Sequence, residues 1–145
     1  MIVRSFEIAR TPVEVFAYID QLERHHEWQE GIASTTVEGG EPTRVGTRMT
    51  NRRRIPGGEH TLTYEITEHD PPRRSAFSGV DGPVRPHGSI TVEPLDGASR
   101  SRVTFKLDFK GHGLGKLITP LVHREAGAIV TRGTAKLKEL LERGV

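Results

Sequence analysis

Three side chains in this chain have the types and settings to do chemistry: Tyr64, Arg53 and His87. Tyr64 lies in Thr61–Thr67, where Leu62, Tyr64 and Ile66 share one face of an alternating segment. A buried tyrosine hydroxyl needs a partner, so an inward Tyr64 would line a pocket. The plainer reading is core packing. Arg53 is the middle of Arg52-Arg53-Arg54. On a strand these side chains alternate faces, and no aromatic residues interleave with them as on a single-strand nucleic-acid platform. A solvated face with charge partners is the plainer reading. If Arg53 points inward, it can hold a carboxylate or phenolate oxygen of a ligand. His87, in Val84-Arg85-Pro86-His87-Gly88, sits at a strand entry expected at the rim of such a pocket. Its ordinary pKa suits proton transfer; the plainer reading is an exposed rim histidine.

Other chemistries are excluded by what is missing. There is no cysteine among the 145 residues, hence no disulfide, thiolate metal site or cysteine nucleophile. The seven histidines include no His-x-x-x-His pair. Consecutive His25-His26-Glu27 would point in different directions on a helix, so no metal site is expected. No nucleophile elbow, phosphate loop or dinucleotide fingerprint occurs, and Gly111-His112-Gly113-Leu114-Gly115 reads as a hinge. No cofactor is expected. A net charge of +2 does not argue for nucleic acid. No apolar run approaches the ~20 residues of a membrane span, and Met1–Phe6 lacks the apolar block of a signal peptide. A cytoplasmic protein, monomer or homodimer, is expected.

The elements that must position these residues follow from periodicity. Ile2–Ala9 alternates as a strand. Thr11-Pro12-Val13-Glu14 is a capping box with proline at the first helical position. Asp20-Gln21-Leu22-Glu23 repeats the capping pattern and predicts a second short helix ending near Trp28. Turn signals at Gly39-Gly40, Pro56-Gly57-Gly58, Asp70-Pro71-Pro72, Asp81-Gly82-Pro83 and Asp96-Gly97 then divide an antiparallel meander. Its strands are expected at Ile32–Glu38, Gly46–Arg54, Thr61–His69, Arg74–Val80, Gly88–Pro94 and Arg102–Phe109. Val103, Phe105, Leu107 and Phe109 share a face, so the sheet is covered on one side.

The cover is the segment Gly113–Arg143, the one long stretch with helical periodicity. Large apolar residues crowd its ends: Leu114, Leu117, Ile118, Leu121 and Val122, then Leu137, Leu140 and Leu141. Ala126, Gly127, Ala128 and Gly133 thin its middle, although each interior glycine costs about 1 kcal/mol against alanine. Both ends are expected to plug into the sheet while the middle leaves room. Ala126 and Gly133 fall within about 20° of each other on the helical wheel and are the expected floor of a cavity. Pro120 starts or kinks the helix.

The order strand, two short helices, six strands, long helix resembles the START-like SRPBCC superfamily, of the polyketide cyclase/dehydrase and lipid-transport type. The stretches that carry the resemblance are Phe6–Phe16, Trp28, Val45-Gly46-Thr47-Arg48, Tyr64–Arg74 and Leu137–Glu142. It implies a helix-grip fold of class α+β. A curved antiparallel sheet of about seven strands would carry the terminal helix across its concave face, in one domain over 1–145. It implies a cavity and no shared catalytic motif.

Three functions remain open at this level. The first is binding of a hydrophobic or aromatic small molecule, lipid or polyketide-like, lined by Met49, Asn51, Tyr64, Phe105, Leu107, Leu121, Ala126 and Gly133. The second is a cyclase or dehydratase working in that cavity by holding a reactive chain in one shape, with Tyr64, His87 and Arg53 as acid, base or anchor. The third is an interaction module whose cavity is filled by its own side chains.

Overall fold

The computed structural model describes residues 1–39, 42–55, 57–111, 113 and 115–144, without side-chain detail at Ile55, Gly115, Ile118 and Thr119. Of the residues singled out above, Gly40, Pro56, His112, Leu114 and the side chain of Ile118 therefore lie outside the described set.

Seven strands form one curved antiparallel sheet: β1 (Ile2–Ile8), β2 (Ile32–Glu38), β3 (Arg48–Ile55), β4 (Gly58–Asp70), β5 (Arg74–Gly79), β6 (Val84–Leu95) and β7 (Arg100–Gly111). The spatial order is β1-β7-β6-β5-β4-β3-β2. Strands β2 to β7 are thus a plain meander, and β1 closes the far edge by pairing with β7, Ile2 opposite Leu107 and Ile8 opposite Ser101. Helix α1 (Pro12–Ile19) and a 3₁₀ helix (Leu22–Glu27) follow β1, and helix α2 (Gly115–Arg143) ends the chain. This is the helix-grip architecture.

Local chemistry explains the starts and stops. Thr11 is extended at φ −68°, ψ 153°, and its hydroxyl oxygen accepts from the Glu14 amide at 3.3 Å. The same hydroxyl donates to the Glu14 carboxylate at 3.0 Å. The second capping pattern has a different outcome. Leu22–Glu27 is 3₁₀, its cap residue Gln21 makes no side-chain capping bond, and Asp20 turns away. Both Asp20 carboxylate oxygens lie 3.0 Å from His69 Nε2 on β4. A partner across the fold outbids a local cap that would satisfy one amide.

The main core gathers Ile8, Val15, Phe16, Ile19, Trp28, Val92, Val103, Leu137 and Leu141. The carboxy-terminal half of α2 is therefore seated as expected. Polar bonds fasten it too: Arg10 donates to the Leu141 carbonyl at 2.8 Å, and the Ala9 amide to Glu142 at 3.0 Å. The amino-terminal end differs from expectation. Leu117 and Leu121 are 78% and 59% exposed, although the helix runs unbroken past Pro120. Pro120 is the sixth residue of α2, so it removes one i→i−4 bond, to the Lys116 carbonyl, without ending the helix.

Candidate functional site

Between the concave face of the sheet and the middle of α2 lies a partly open cavity of about 270 Å³. The chain's own side chains leave this space unfilled. Much of the wall is apolar, with Phe77, Pro86, Ile90, Leu107, Phe109 and Ile129. The polar lining comes from β3, β4 and the segment around the 3₁₀ helix, with Ser75 on β5 and Glu125 and Thr134 on α2.

Strand parity places the β3 side chains. Met49, Asn51 and Arg53 face the cavity, whereas Arg52 is exposed and pairs with Glu59 at 3.4 Å. The three arginines therefore split between faces, and only the middle one enters. Asn51 is 2% exposed. Its Oδ1 accepts from the Thr35 hydroxyl at 2.8 Å, which turns its amide hydrogens toward the neighbouring strand. There Tyr64 stands opposite Met49. Burial pushes the Tyr64 phenol up from its ordinary pKa, while the charge of Arg53 and bonds from Arg53 and Asn51 pull it back. The polar side chains of Arg53 and Asn51 thus stand near the phenol oxygen at the cavity wall. The Tyr64 ring packs edge-on against Phe77, centroids 5.5 Å apart.

Arg53 is half-buried. One terminal nitrogen donates to Gln29 Oε1 at 3.1 Å. Its Nε–H is buried, and no acceptor among the described residues takes it. The indole N–H of Trp28, also in the lining, is buried without a partner in the same sense. His25 is 7% exposed and sits edge-on to the Trp28 ring. Its Nε2–H donates to the Ile19 carbonyl at 2.7 Å. Burial pushes its pKa down to about 4; the bond to Ile19 opposes this and the Arg53 charge adds to it. His25 is a neutral imidazole near pH 7.

Of the residues expected from sequence, Met49, Asn51, Arg53, Tyr64, Phe105, Leu107, Ala126 and Gly133 border this one cavity. Leu121 does not. Val122, Ala126, Ile129 and Val130 form the cavity stripe of α2, and Leu121 lies about 100° off it with Leu117. His87 is also elsewhere. On β6 the inward residue is Pro86, paired with Phe109, so parity turns His87 out to the other face beside Asp108. It borders a shallow depression there with Ser78 and Lys106. Gly133 has a second reason to be small: a Cβ there would lie 3.2 Å from the Trp28 carbonyl oxygen. Ala128 is exposed, and Gly127 lies beside the Arg4 guanidinium, so neither floors the cavity. Sequence reasoning missed His25, Gln29 and the inward role of Trp28. An irregular segment has no period to betray its facing.

No group of three or more acidic or histidine side chains lies close enough to hold a metal among the described residues. Nor does any described helix have the length and apolarity to cross a membrane.

In comparisons with known proteins, residues 2–142 match the family described as polyketide cyclase / dehydrase and lipid transport. No curated protein sequence matches the chain. Solved structures show the fold. A START superfamily protein from Mycobacterium smegmatis has a TM-score of 0.74 at 12% identity, over 97% of both chains. A conserved protein from Geobacillus kaustophilus has 0.74 at 17%, over 97% of this chain and 94% of its own. The Zhui aromatase/cyclase from a Streptomyces species has 0.71 at 18%, over 93% of this chain and 86% of its own. With a family match over nearly its whole length and a helix grip around a cavity, the chain belongs to the polyketide cyclase/dehydrase and lipid transport family.

Proposed function

We propose that the protein binds a hydrophobic or aromatic small molecule, of lipid or polyketide-like character, in the cavity between the sheet and α2, with an oxygen of the ligand seated at Arg53 and Tyr64. The observation that carries this reading is the buried Arg53 Nε–H without an acceptor, set in a mainly apolar chamber. An unpaired buried donor costs about 1–3 kcal/mol, more when it is charged. A ligand oxygen removes that cost, and the apolar wall takes the rest of the molecule. The open volume favours this reading over an interaction module with a filled cavity. The test is native mass spectrometry of the purified protein and its Arg53→Met variant. The expected result is a small molecule retained by the wild type and lost from the variant, with the melting temperature unchanged or raised. Equal retention by both proteins would remove Arg53 from the site.

One arrangement supports a second reading, an enzyme of the cyclase or dehydratase kind. Tyr64 lies on the cavity wall near Arg53 and Asn51, within reach of an oxygen of a bound molecule. A positioned phenol beside a guanidinium can stabilise an enolate as a folded chain closes. The aromatase/cyclase among the structural neighbours makes polyketide-like substrates the first to assay.

A further inference from the structure

We infer that Gln29, oriented by neutral His25, is a positioning residue that aims Arg53 at an anionic oxygen of the ligand, a carboxylate or a phenolate. The inference rests on the binding reading above and adds to it the charge of the ligand and the device that selects it. Because His25 Nε2 carries its hydrogen toward the Ile19 carbonyl at 2.7 Å, the neutral ring presents Nδ1 as a bare acceptor. Gln29 Nε2 lies 3.4 Å from that nitrogen and donates to it. The direction of the Gln29 amide is thereby set. Its oxygen must face the other way, where it accepts from Arg53 Nη2 at 3.1 Å. A reversed amide would set oxygen against bare nitrogen at one end and N–H against N–H at the other. The guanidinium is a rigid planar fork, so bracing one terminal nitrogen fixes where the Nε–H points.

The backbone under Gln29 is tied on both sides. Its amide donates to the His25 carbonyl at 2.8 Å, and the Arg54 amide donates to the Gly31 carbonyl at 2.8 Å. Glu30 is bonded by Arg132 of α2 at 2.6 Å. A brace that cannot swing is what a positioning role requires. The charge preference follows from what surrounds Arg53. No carboxylate among the described residues pairs with Arg53: the brace is a neutral amide, the next group is a neutral imidazole, and its other neighbours are a phenol and an asparagine. Asp20, which is held by His69, and Glu125 also line the chamber, but neither pairs with Arg53, and an unpaired guanidinium favours a ligand that supplies its counter-charge.

The test uses two probes of nearly the same shape, 2-naphthoate and neutral 2-acetylnaphthalene, with binding measured at pH 7 on the full chain. Wild type is expected to bind naphthoate at least about tenfold more tightly. Gln29→Leu removes the brace, and Gln29→Glu puts a carboxylate on Arg53 in a side chain of the same size. Both are expected to erase the preference while the affinity for 2-acetylnaphthalene stays within about twofold. A Gln29 that only holds the fold would weaken both probes together, and that result, or an unchanged preference in both variants, overturns the inference. Arg53→Gln separates the two levels of the argument. If wild type prefers naphthoate and only Arg53→Gln abolishes the preference, the binding reading stands and the positioning role of Gln29 falls. If wild type shows no preference, the Arg53 anchor itself is wrong.

Discussion

At the scale of single residues, Tyr64 and His25 give the sharpest expectations. Tyr64→Phe removes one hydroxyl and almost no volume from a side chain that is 6% exposed. If the cavity works as an enzyme, turnover falls at least about tenfold while the melting temperature moves by no more than a few degrees. Unchanged turnover would return Tyr64 to core packing. His25 predicts a pH limb in stability. Its folded pKa, about 4, lies below its ordinary value of 6.5, so the native state resists a proton that the unfolded chain accepts. The stabilisation is complete above pH 6.5 and is lost as pH falls from 6.5 toward 4, about 3 kcal/mol in all. Denaturant titrations across that range should show the slope, and His25→Phe should flatten it. The imidazole ¹⁵N shifts should show hydrogen on Nε2 and none on Nδ1 at pH 7; the opposite tautomer would break the connection to Gln29.

At the scale of elements, the sequence was most legible where a period or a cap had a single local cause. Thr11 to Glu14 is such a case, and Thr11→Ala should cost about 1 kcal/mol in equilibrium unfolding. The β4 and β7 faces were readable for the same reason, since Tyr64, Phe105 and Leu107 follow from alternation alone. Asp20 was not, because its partner is His69, far along the chain on β4. His87 lies away from the expected rim because β6 parity, counted from the inward Pro86, turns it to the other face. On α2 the small residues could be seen but their reasons could not. Ala126 borders the cavity, whereas Gly133 also makes room for the Trp28 carbonyl. Ala126→Leu should therefore fill space without crowding. The apo protein should melt within a few degrees of wild type, and 2-naphthoate binding should be lost. A large fall in melting temperature would instead mean close-packed neighbours at that position.

At the scale of the whole molecule, the order of elements specifies the fold, and the long helix covers the sheet. What the order could not tell was that the cover is seated unequally. Its last turns enter the core through Leu137 and Leu141 and are bonded to the turn after β1, while Leu117 and Leu121 stay in solvent. In mechanical terms α2 is a cantilever: it is clamped by its last turns, and among the described residues toward its other end Leu117 and Leu121 are exposed while His123 meets Phe109 edge-on. The cavity stripe from Val122 to Val130 occupies the span between clamp and free end. A small tilt about the clamp therefore moves the lining at Val122 further than the lining at Gly133, and it disturbs none of the clamp's buried contacts. Hydrogen exchange should register this as a gradient. Amides around Leu121 should exchange well before those around Leu137, through openings far cheaper than global unfolding. A filled cavity should slow the free end and leave the clamp as it was. The width of the chamber is then a property of how far one end of a lever has swung, and ligands of different bulk can be met by one sheet that does not change shape.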